Sequence, residues 1–427
     1  MRVSFHTLGC RLNQAETALA ADDMARHGWE VLPWPAEADV LVINSCAVTG
    51  TASQKTRQAV RAARRRCPDA VIVVMGCDAK VDDWDASVDL VVPHPMTSPL
   101  SQLLQECLPA VVPPGKEGDG FRIEGAARFS ERTRANLKIQ DGCNFFCSYC
   151  IVPYSRGRAR SRALDDVLRE ADELLEAGYR ELVLCGVNLT TYSDGGTDLA
   201  DLLVRLLALG KDFRIRLGSS EPGDVISRVV EVMRSEPRIC RFLHLPLQYG
   251  EDTILKRMRR HYTADEYARL ALDAVEKVPG LCLGADIITG FPGENEQLFQ
   301  RCLEFVEALP FGLLHVFPYS PRPGTAAATY PGRPPKALAE QRAARLSSLG
   351  LAKAEAFART QLGRTLNVLV EEDGSGWTDN YLHVTLPGVQ IPRNTIVPVR
   401  IEKCLGGREL EGFLSRQETF FNSNKKN

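Results

Sequence analysis

The sequence predicts an α/β chain in three parts: an N-terminal doubly wound parallel sheet, a central partial (β/α)6 barrel and a small C-terminal antiparallel β-barrel. Strand patterns alternate with amphipathic helical patterns through the first hundred residues and again after residue 135, as is typical of parallel sheets. From about Gly363 short strands are separated by Gly, Pro, Asp and Asn, which is typical of a small barrel. We expect the parts at 1–110, 135–350 and 360–416, with a Pro- and Gly-rich linker at 111–134.

The N-terminal part contains three apolar strands that each end at a cysteine. The strands are Val3–Leu8, Asp39–Asn44 and Val71–Met75, and the cysteines that follow them are Cys10, Cys46 and Cys77. Since the carboxyl ends of parallel strands share one edge of the sheet, the three thiols are expected to face one crevice. This arrangement favours a three-cysteine metal cluster, while three ordinary buried cysteines are the alternative.

The central part begins with an octet that contains Cys143, Cys147 and Cys150, with the aromatic residue Tyr149 just before the third cysteine. Three thiolates on one short loop can hold three irons of a 4Fe–4S cluster. The fourth iron then stays open to a substrate or cofactor. The alternatives are a structural zinc site or a disulfide cluster, but zinc sites usually combine paired CxxC elements with a fourth ligand. The spacing therefore predicts an open iron–sulfur cluster.

Six strands are predicted in the barrel after this point. They are Asn136–Gln140, Glu181–Cys185, Arg214–Gly218, Phe242–Leu247, Leu283–Ile288 and Leu313–Pro318. The functional face of such barrels is the carboxyl end of the strands. Asn188, Ser219, Glu221 and Gln248 lie at these ends, where they either line a cofactor cavity or serve only as turn residues.

Composition and charge limit the class of protein. A net charge of −2 excludes bulk basicity, so any nucleic-acid contact requires local patches. Two arginine groups are either solvated faces or phosphate contacts. They are Arg57, Arg61, Arg64, Arg65 and Arg66 in one predicted helix, and Arg156, Arg158, Arg160 and Arg162 after the octet. The chain has neither a signal-peptide pattern nor an apolar run of about 20 residues, so we expect a cytoplasmic protein without membrane contact. In that compartment 13 cysteines indicate metal or redox chemistry.

Specific motifs give the chain a family resemblance. They are Thr7-Leu8-Gly9-Cys10, Asn44-Ser45-Cys46, Gly76-Cys77, Cys150-Ile151-Val152-Pro153-Tyr154, Gly290-Phe291-Pro292-Gly293-Glu294 and Tyr319-Ser320. With the order of the three parts, they resemble the radical S-adenosylmethionine (SAM) methylthiotransferase family over nearly the whole chain. The pattern is most similar to the branch that acts on N6-threonylcarbamoyladenosine next to the anticodon of tRNA. The pointers to that branch are Cys10-Arg11-Leu12-Asn13-Gln14, Cys46-Ala47-Val48-Thr49, Lys55-Thr56-Arg57-Gln58 and Ser155-Arg156-Gly157-Arg158.

The resemblance implies two 4Fe–4S clusters, SAM and a tRNA anticodon stem-loop as substrate. One SAM supplies a methyl group, and reductive cleavage of a second SAM yields a radical that removes hydrogen from carbon-2 of the adenine. It also implies an electron donor such as flavodoxin or ferredoxin, and a sulfur source. Cys10, Cys46 and Cys77 are implied to hold the auxiliary cluster, and Cys143, Cys147 and Cys150 the SAM-binding cluster. Tyr149 is implied to lie by the SAM adenine, with Asn188, Ser219, Glu221 and Gln248 as further SAM contacts.

Three alternatives stay open at this point. Two are enzymatic: methylthiolation of isopentenyladenosine in tRNA, or of an aspartate in a ribosomal protein. The third is a nonenzymatic iron–sulfur protein that binds RNA or carries electrons. For tRNA contact the resemblance implies the C-terminal TRAM-like module, and the 57–66 helix is the other candidate.

Overall fold

The computed structural model describes residues 1–94, 99–106, 110–111, 123, 125–126, 133–372 and 374–415, so the predicted linker lies mostly outside the described residues. The N-terminal strands are β1 (Arg2–Thr7), β2 (Glu30–Leu32), β3 (Val40–Ser45), β4 (Val71–Gly76), β5 (Leu90–Val92) and β6 (Ala110–Val111). The helices between them are α1 (Arg11–Arg26), α2 (Gly50–Arg66), α3 (Asp78–Val81) and α4 (Leu100–Glu106).

These strands form one sheet in the order β2-β1-β3-β4-β5-β6, and all its pairings are parallel. The predicted doubly wound sheet is confirmed. The strand order reverses between β1 and β3, and ligands bind at such switch points in open α/β sheets. Strands β2, β5 and β6 were not predicted because they contain only two or three residues, too few to show a hydrophobic period.

Helices cover both faces of this sheet. Every residue of β3 is buried, because its side chains alternate between two apolar cores. Val42 packs in one core with Met24 of α1, and Ile43 packs in the other with Val60 of α2. Burying each such side chain stabilises the fold by about 1.5–3 kcal/mol.

The central part supplies a second set of parallel strands. Its strands are β7 (Arg134–Lys138), β8 (Gln140–Asp141), β9 (Arg160–Ser161), β10 (Glu181–Cys185), β11 (Ser193–Asp194), β12 (Thr197–Asp198), β13 (Arg214–Leu217), β14 (Phe242–His244), β15 (Cys282–Thr289) and β16 (Phe311–Pro318). Its helices are α5 (Val152–Arg156), α6 (Leu164–Glu176), α7 (Leu199–Leu207), α8 (Asp224–Ser235), α9 (Asp252–Arg257), α10 (Ala264–Lys277), α11 (Glu296–Ala308) and α12 (Lys336–Arg359).

Six parallel strands of this part form the predicted partial barrel. They pair as β7-β10-β13 and β14-β15-β16. The two halves join at β13 and β14, where the Ser220 N–H donates to the His244 carbonyl at 3.0 Å and the Cys240 N–H donates to the Ile215 carbonyl at 2.8 Å. Among the described residues no backbone pairing joins β7 to β16, so the barrel is open on that side.

The C-terminal strands close into a five-stranded barrel in the order β17-β18-β19-β21-β20. They are β17 (Thr365–Glu372), β18 (Ser375–Thr378), β19 (His383–Thr385), β20 (Ile396–Gly406) and β21 (Glu409–Leu414). The pairings are antiparallel as predicted, except that β19 and β21 run parallel. Strand β18 was not predicted, because glycine at position 376 weakens the strand pattern. Glycine is needed there, since an added Cβ would lie 2.2 Å from the Leu369 carbonyl oxygen of β17.

Buried charges attach this small barrel to the central part. The Glu181 carboxylate accepts hydrogen bonds of 2.6 Å from Arg214 Nε and from Arg216 Nε. Arg216 in turn donates to the backbone carbonyls of Thr378 and Asp379 at 2.9 and 3.0 Å. The attachment is therefore a satisfied polar network. Within the described residues, none of the helices has the length and apolar character needed to span a bilayer.

Candidate active site

Cys10, Cys46 and Cys77, here called the strand-end triad, lie at the carboxyl edge of the N-terminal sheet. Cys10 is the N-cap residue of α1, and the other two directly follow β3 and β4. Because β1, β3 and β4 are adjacent parallel strands, their ends lie side by side. A Cβ on Gly9, whose φ is +107°, would lie 2.8 Å from the Cys46 Cβ. Glycine thus allows the loop before Cys10 to approach Cys46.

The thiols of the strand-end triad influence one another's ionisation. Burial is the main cause that raises the pKa of Cys77 to about 12; negative charge on Cys10 and Cys46 adds to this shift, and the Arg156 guanidinium opposes it. Burial also raises the pKa of Cys46, to which Cys10 again contributes. Thiolates at such positions need a metal to compensate their charge. Three thiols at neighbouring strand ends, two of them buried, are a donor set that fits an iron–sulfur cluster.

Cys143, Cys147 and Cys150, here called the loop triad, lie on the loop between β8 and α5. The Cys143 N–H donates to the Gly157 carbonyl at 3.1 Å, and the Cys150 N–H donates to the Cys147 carbonyl at 3.0 Å. These bonds fold the loop back on itself. Burial raises the pKa of Cys143 to about 11 and that of Cys150 further. This donor set, on one compact loop, also fits an open cluster.

A buried arginine contacts the loop triad. Arg260 Nη1 donates to Cys147 Sγ at 3.2 Å and to the Tyr149 hydroxyl at 3.4 Å. Its other terminal nitrogen forms an ion pair with Glu221. Burial raises the pKa of Tyr149 well above its ordinary value. Two of the predicted cofactor residues, Tyr149 and Glu221, therefore meet through Arg260 beside the cysteines.

The other predicted cofactor residues, Asn188, Ser219 and Gln248, lie at the carboxyl ends of barrel strands. Asn188 Oδ1 accepts a 3.1 Å bond from the Thr190 N–H, whereas its buried Nδ2 has no hydrogen-bond partner among the described residues. Such a buried donor is usually satisfied by a ligand or water. Ser219 pairs with β14, and the Gln248 N–H donates to the Asp286 carbonyl at 2.8 Å.

The two triads are neighbours in space. Ile151, the residue after Cys150, is buried in a small apolar cluster with Ala47 and Cys77. Ala47 itself follows Cys46 in the chain. Residues adjacent to one triad thus pack directly on residues of the other.

A buried charge network lies beside the strand-end triad. Arg156 Nε donates to Cys77 Sγ at 3.0 Å, and its two terminal nitrogens donate to Glu16 at 2.7 and 3.0 Å. Lys138 Nζ donates to Glu16 and to Asp141, both at 2.8 Å. Burial by itself raises the pKa of Glu16, but Arg156 and Lys138 outweigh it and hold that pKa well below its ordinary value. The Glu16 carboxylate therefore stays ionised at neutral pH.

Part of this network has the spacing of a metal site. Ligand atoms of Glu16, His94 and Asp141 all lie within 4.8 Å of one another. The Lys138 ammonium and the Arg156 guanidinium already contact the two carboxylates. Since protein cations neutralise these carboxylates, we assign the group as an ion-pair network.

The four arginines after the octet do not form a basic patch. Arg156 is buried against Glu16, and Arg162 is fully buried in ion pairs with Asp166 and Glu170. Both interpretations offered for this run, a solvated face and a phosphate contact, are wrong for these two residues. The first and last arginines of the run point inward because carboxylates of neighbouring elements compensate them.

Sequence reasoning missed the roles of Arg156 and Arg260. They are separated from their cysteine partners, Cys77 and Cys147, by 79 and 113 residues. No spacing rule connects positions that far apart. The available signal for Arg156 was its place in the arginine run after the octet, which is too common a feature to indicate a contact with Cys77.

Comparisons with known proteins identify the family. Residues 137–306 match the Radical SAM superfamily, and residues 2–91 match the Uncharacterized protein family UPF0004. A protein of Bacillus subtilis (strain 168), named threonylcarbamoyladenosine tRNA methylthiotransferase MtaB, is 36% identical over 426 residues, which cover 94% of each chain. The chain belongs to the radical-SAM methylthiotransferase family. Membership implies SAM and a 4Fe–4S cluster as cofactors of this methylthiotransferase.

Relatives of this methylthiotransferase carry more than one name. A Moorella thermoacetica protein, named tRNA-2-methylthio-N(6)-dimethylallyladenosine synthase, is 34% identical and covers 93% of this chain and 95% of its own. Among solved structures, the radical SAM methyltransferase TsrM from Kitasatospora setae has a TM-score of 0.56 at 14% identity, covering 77% of each chain. That likeness shows a shared fold.

Proposed function

We propose that this methylthiotransferase converts N6-threonylcarbamoyladenosine, next to the anticodon of tRNA, to its 2-methylthio derivative. The observation that carries this proposal is the presence of two neighbouring three-cysteine groups in one chain. One open cluster suffices to cleave SAM, whereas sulfur insertion needs a second place that can hold sulfur. The MtaB name of the Bacillus relative supports the choice of nucleoside.

We propose that the loop triad holds the SAM-binding cluster and that the strand-end triad holds an auxiliary 4Fe–4S cluster. When bound, the first supplies an electron for SAM cleavage and the second supplies the site of sulfur transfer. The residues around them position SAM and exclude water. The proposed SAM contacts are Tyr149, Asn188, Ser219, Glu221 and Gln248. The unpartnered Asn188 Nδ2 supports its role, and the ion pair with Arg260 makes Glu221 a positioning residue.

We propose that the C-terminal barrel is a TRAM-like module that contacts the anticodon stem-loop. Trp377 and Tyr381 stack with ring centroids 5.0 Å apart. The guanidinium groups of Arg11 and Arg408 lie 5.4 and 5.1 Å from the Tyr381 ring. The Tyr381 ring also packs on Phe242 of β14 and its hydroxyl accepts from Arg11 of α1, so this group lies where the barrel meets the other two parts. Aromatic rings combined with arginines can bind single-stranded RNA at such a place. The proposed domains are 1–110, 135–350 and 360–416, joined by a linker at 111–134.

The proposed reaction requires partners that deliver electrons and sulfur. We propose a low-potential donor such as flavodoxin or ferredoxin, because SAM cleavage consumes an electron that the substrate does not supply. A separate sulfur source replaces each sulfur atom transferred to tRNA. The cytoplasm, where tRNA and reduced thiols coexist, is the proposed location.

A second candidate substrate is the N6-dimethylallyladenosine (isopentenyladenosine) of tRNA. The 34% identity to the Moorella synthase favours it. A ribosomal-protein aspartate, and a nonenzymatic role in RNA binding, have no comparable support.

Nucleoside analysis tests the substrate. Transfer RNA from a strain without the protein, and from the complemented strain, is digested and examined by mass spectrometry. We expect loss and recovery of 2-methylthio-N6-threonylcarbamoyladenosine. Loss of the dimethylallyladenosine derivative instead would select the second candidate, and two unchanged nucleosides would reject both.

Cysteine variants test the two-cluster assignment. Cys150→Ala should abolish SAM cleavage by the reduced protein, because the loop triad then cannot hold its cluster. Cys46→Ala should keep SAM cleavage and stop methylthiolation. The measurements are 5′-deoxyadenosine release and nucleoside product, and normal product from the Cys46 variant would contradict a second cluster.

A further inference from the structure

One side chain connects the two candidate clusters. Arg156 ends α5, the short helix that begins two residues after Cys150, and its Nε lies 3.0 Å from Cys77 Sγ. Arg156 is thus connected to the loop triad through the backbone of α5, whereas its side chain contacts the strand-end triad. It is 2% exposed, so its charge is not screened by water.

All three nitrogens of the Arg156 guanidinium group make hydrogen bonds here. While Nε faces Cys77, both terminal nitrogens bind Glu16 on α1 at 2.7 and 3.0 Å. Glu16 follows Cys10 by six residues, on the helix that Cys10 caps. Arg156 is therefore held in place by an element attached to another cysteine of the same triad. Lysine carries the same charge but cannot make these three contacts together.

We propose that Arg156 is a positioning residue that donates an N–H···S hydrogen bond to Cys77 in the cluster-bound state and raises the reduction potential of the auxiliary cluster. The inference rests on the second cluster of the proposed function. A hydrogen bond and a positive charge beside a ligating sulfur stabilise the reduced form, which carries one more negative charge. The contact also fixes the distance between the strand-end triad and the loop triad.

The same arrangement occurs at the other triad. Arg260 donates to Cys147 at 3.2 Å and is paired with Glu221, as Arg156 is paired with Glu16. Each triad thus has its own buried arginine and carboxylate. The potentials of the two clusters can then differ, because separate side chains set them.

The test measures the auxiliary cluster by itself. In the full-length chain, Cys143, Cys147 and Cys150 are all changed to alanine, so only the strand-end triad can bind a cluster. Arg156→Gln and Arg156→Lys are added to this parent, and each protein is reconstituted anaerobically with iron and sulfide. Iron content and the midpoint potential, from a redox titration followed by electron paramagnetic resonance, are compared.

We expect Arg156→Gln to shift the midpoint potential to more negative values and to change the resonance spectrum. Arg156→Lys should shift the midpoint potential less, since lysine keeps the positive charge but lacks the planar guanidinium group. Arg214→Gln is the matched control: this buried arginine donates to Glu181, which keeps Arg216 as a partner. The control should leave the potential of the auxiliary cluster unchanged.

The outcomes separate this inference from the proposed function. A parent protein that binds no cluster would reject the second cluster and, with it, this inference. A parent cluster whose potential is the same in Arg156→Gln would overturn the inference alone. If Arg156→Gln binds no iron, the lysine variant decides: an unshifted potential there overturns the inference, and a partial shift supports it.

Discussion

At the scale of single residues, partners in space decide what a side chain does. Arg61 and Arg156 both belong to arginine runs in the sequence, yet Arg61 is exposed on α2 and Arg156 is buried between two cysteine loops. A guanidinium is buried only where carboxylates compensate it, and Glu16 and Asp141 do so for Arg156. Glycines are more predictable, since a positive φ restricts the residue type wherever it occurs.

Gly142, directly before the loop triad, illustrates this constraint. Its φ is +67°, and an added Cβ would lie 1.9 Å from the Arg158 carbonyl oxygen. Gly142→Ala should displace the loop that carries Cys143, and we expect loss of cluster iron together with a lower melting temperature. Iron analysis and thermal unfolding check this.

Gly178→Ala is the control for backbone strain without a clash. Its φ is +94°, and no atom lies within 4 Å of the added Cβ. This variant should lose about 1–2 kcal/mol of stability and keep its iron. Full iron in Gly142→Ala would contradict the close approach of the two loops.

At the scale of elements, helix α2 has one face buried against the sheet and another exposed. Thr49 caps its first turn by accepting the Ala52 N–H at 3.1 Å. Val60 and Ala63 are buried against the sheet, because apolar residues three apart share one face. At its first turn the Gly50 N–H donates to Ser320 Oγ at 3.0 Å, beside a family motif after β16. The helix therefore starts at the rim of the candidate site.

Four of the five arginines of α2 separate into two groups, and the guanidinium of the fifth, Arg66, lies 4.7 Å from the Trp34 ring. Arg57 and Arg64 form ion pairs with Asp82 and Asp89, whereas Arg61 and Arg65 are exposed. We expect Arg61→Glu with Arg65→Glu to weaken tRNA binding and to leave SAM cleavage without tRNA unchanged. The slope of log affinity against log salt should fall by about 1.5, since two phosphate contacts are lost.

A charge-matched control separates local contact from net charge. Arg234→Glu with Arg269→Glu makes the same charge change on α8 and α10, where both side chains are exposed. This pair should alter tRNA affinity little. Equal weakening by both pairs would contradict a specific contact by α2. Filter binding at several salt concentrations provides the comparison.

At the scale of the whole molecule, the three parts are attached through buried polar groups. Arg214 and Arg216 share the Glu181 carboxylate and reach the C-terminal barrel through its backbone carbonyls. The N-terminal part is attached by the Arg156–Glu16–Lys138 network. Losing the shared carboxylate of such a network is costly, since it leaves buried positive charges unpaired.

Removing Glu181 tests the attachment of the barrel. Glu181→Gln leaves two buried arginines without their carboxylate, and we expect a loss of about 3–5 kcal/mol in the free energy of unfolding. Urea unfolding of the variant and the native chain measures this loss. Equal stability of the two proteins would contradict an attachment of the barrel that depends on the Glu181 carboxylate.

The pH dependence of that loss follows from the pKa of Glu181. Burial raises it, but Arg216 and Arg214 outweigh burial and depress the folded pKa below the ordinary value. The contribution is then complete above the unfolded pKa of about 4.3 and decreases as pH falls towards the depressed folded pKa. The stability difference between the native chain and Glu181→Gln should be constant from pH 6 to 8 and shrink below about pH 4.

The sequence by itself determined the long elements and the ligand chemistry. Uninterrupted apolar runs predicted the parallel strands before Cys46 and Cys77, because such a run reflects one local conformation, a strand buried on both faces. The spacing of Cys143, Cys147 and Cys150 indicated a cluster for the same reason, since all three lie on one loop. Strands of two or three residues, such as β5 and β6, are too short to show a recognisable apolar pattern in the sequence.

Only the tertiary structure decided which residues meet across long separations. It brought Ile151 against Cys77, Arg156 to the strand-end triad and Arg260 to the loop triad. These contacts depend on how the N-terminal sheet and the barrel dock, and docking is a property of surfaces formed by many distant residues. Local pattern therefore identifies the cysteine groups that we propose as cluster ligands, whereas packing decides which charged side chains surround them.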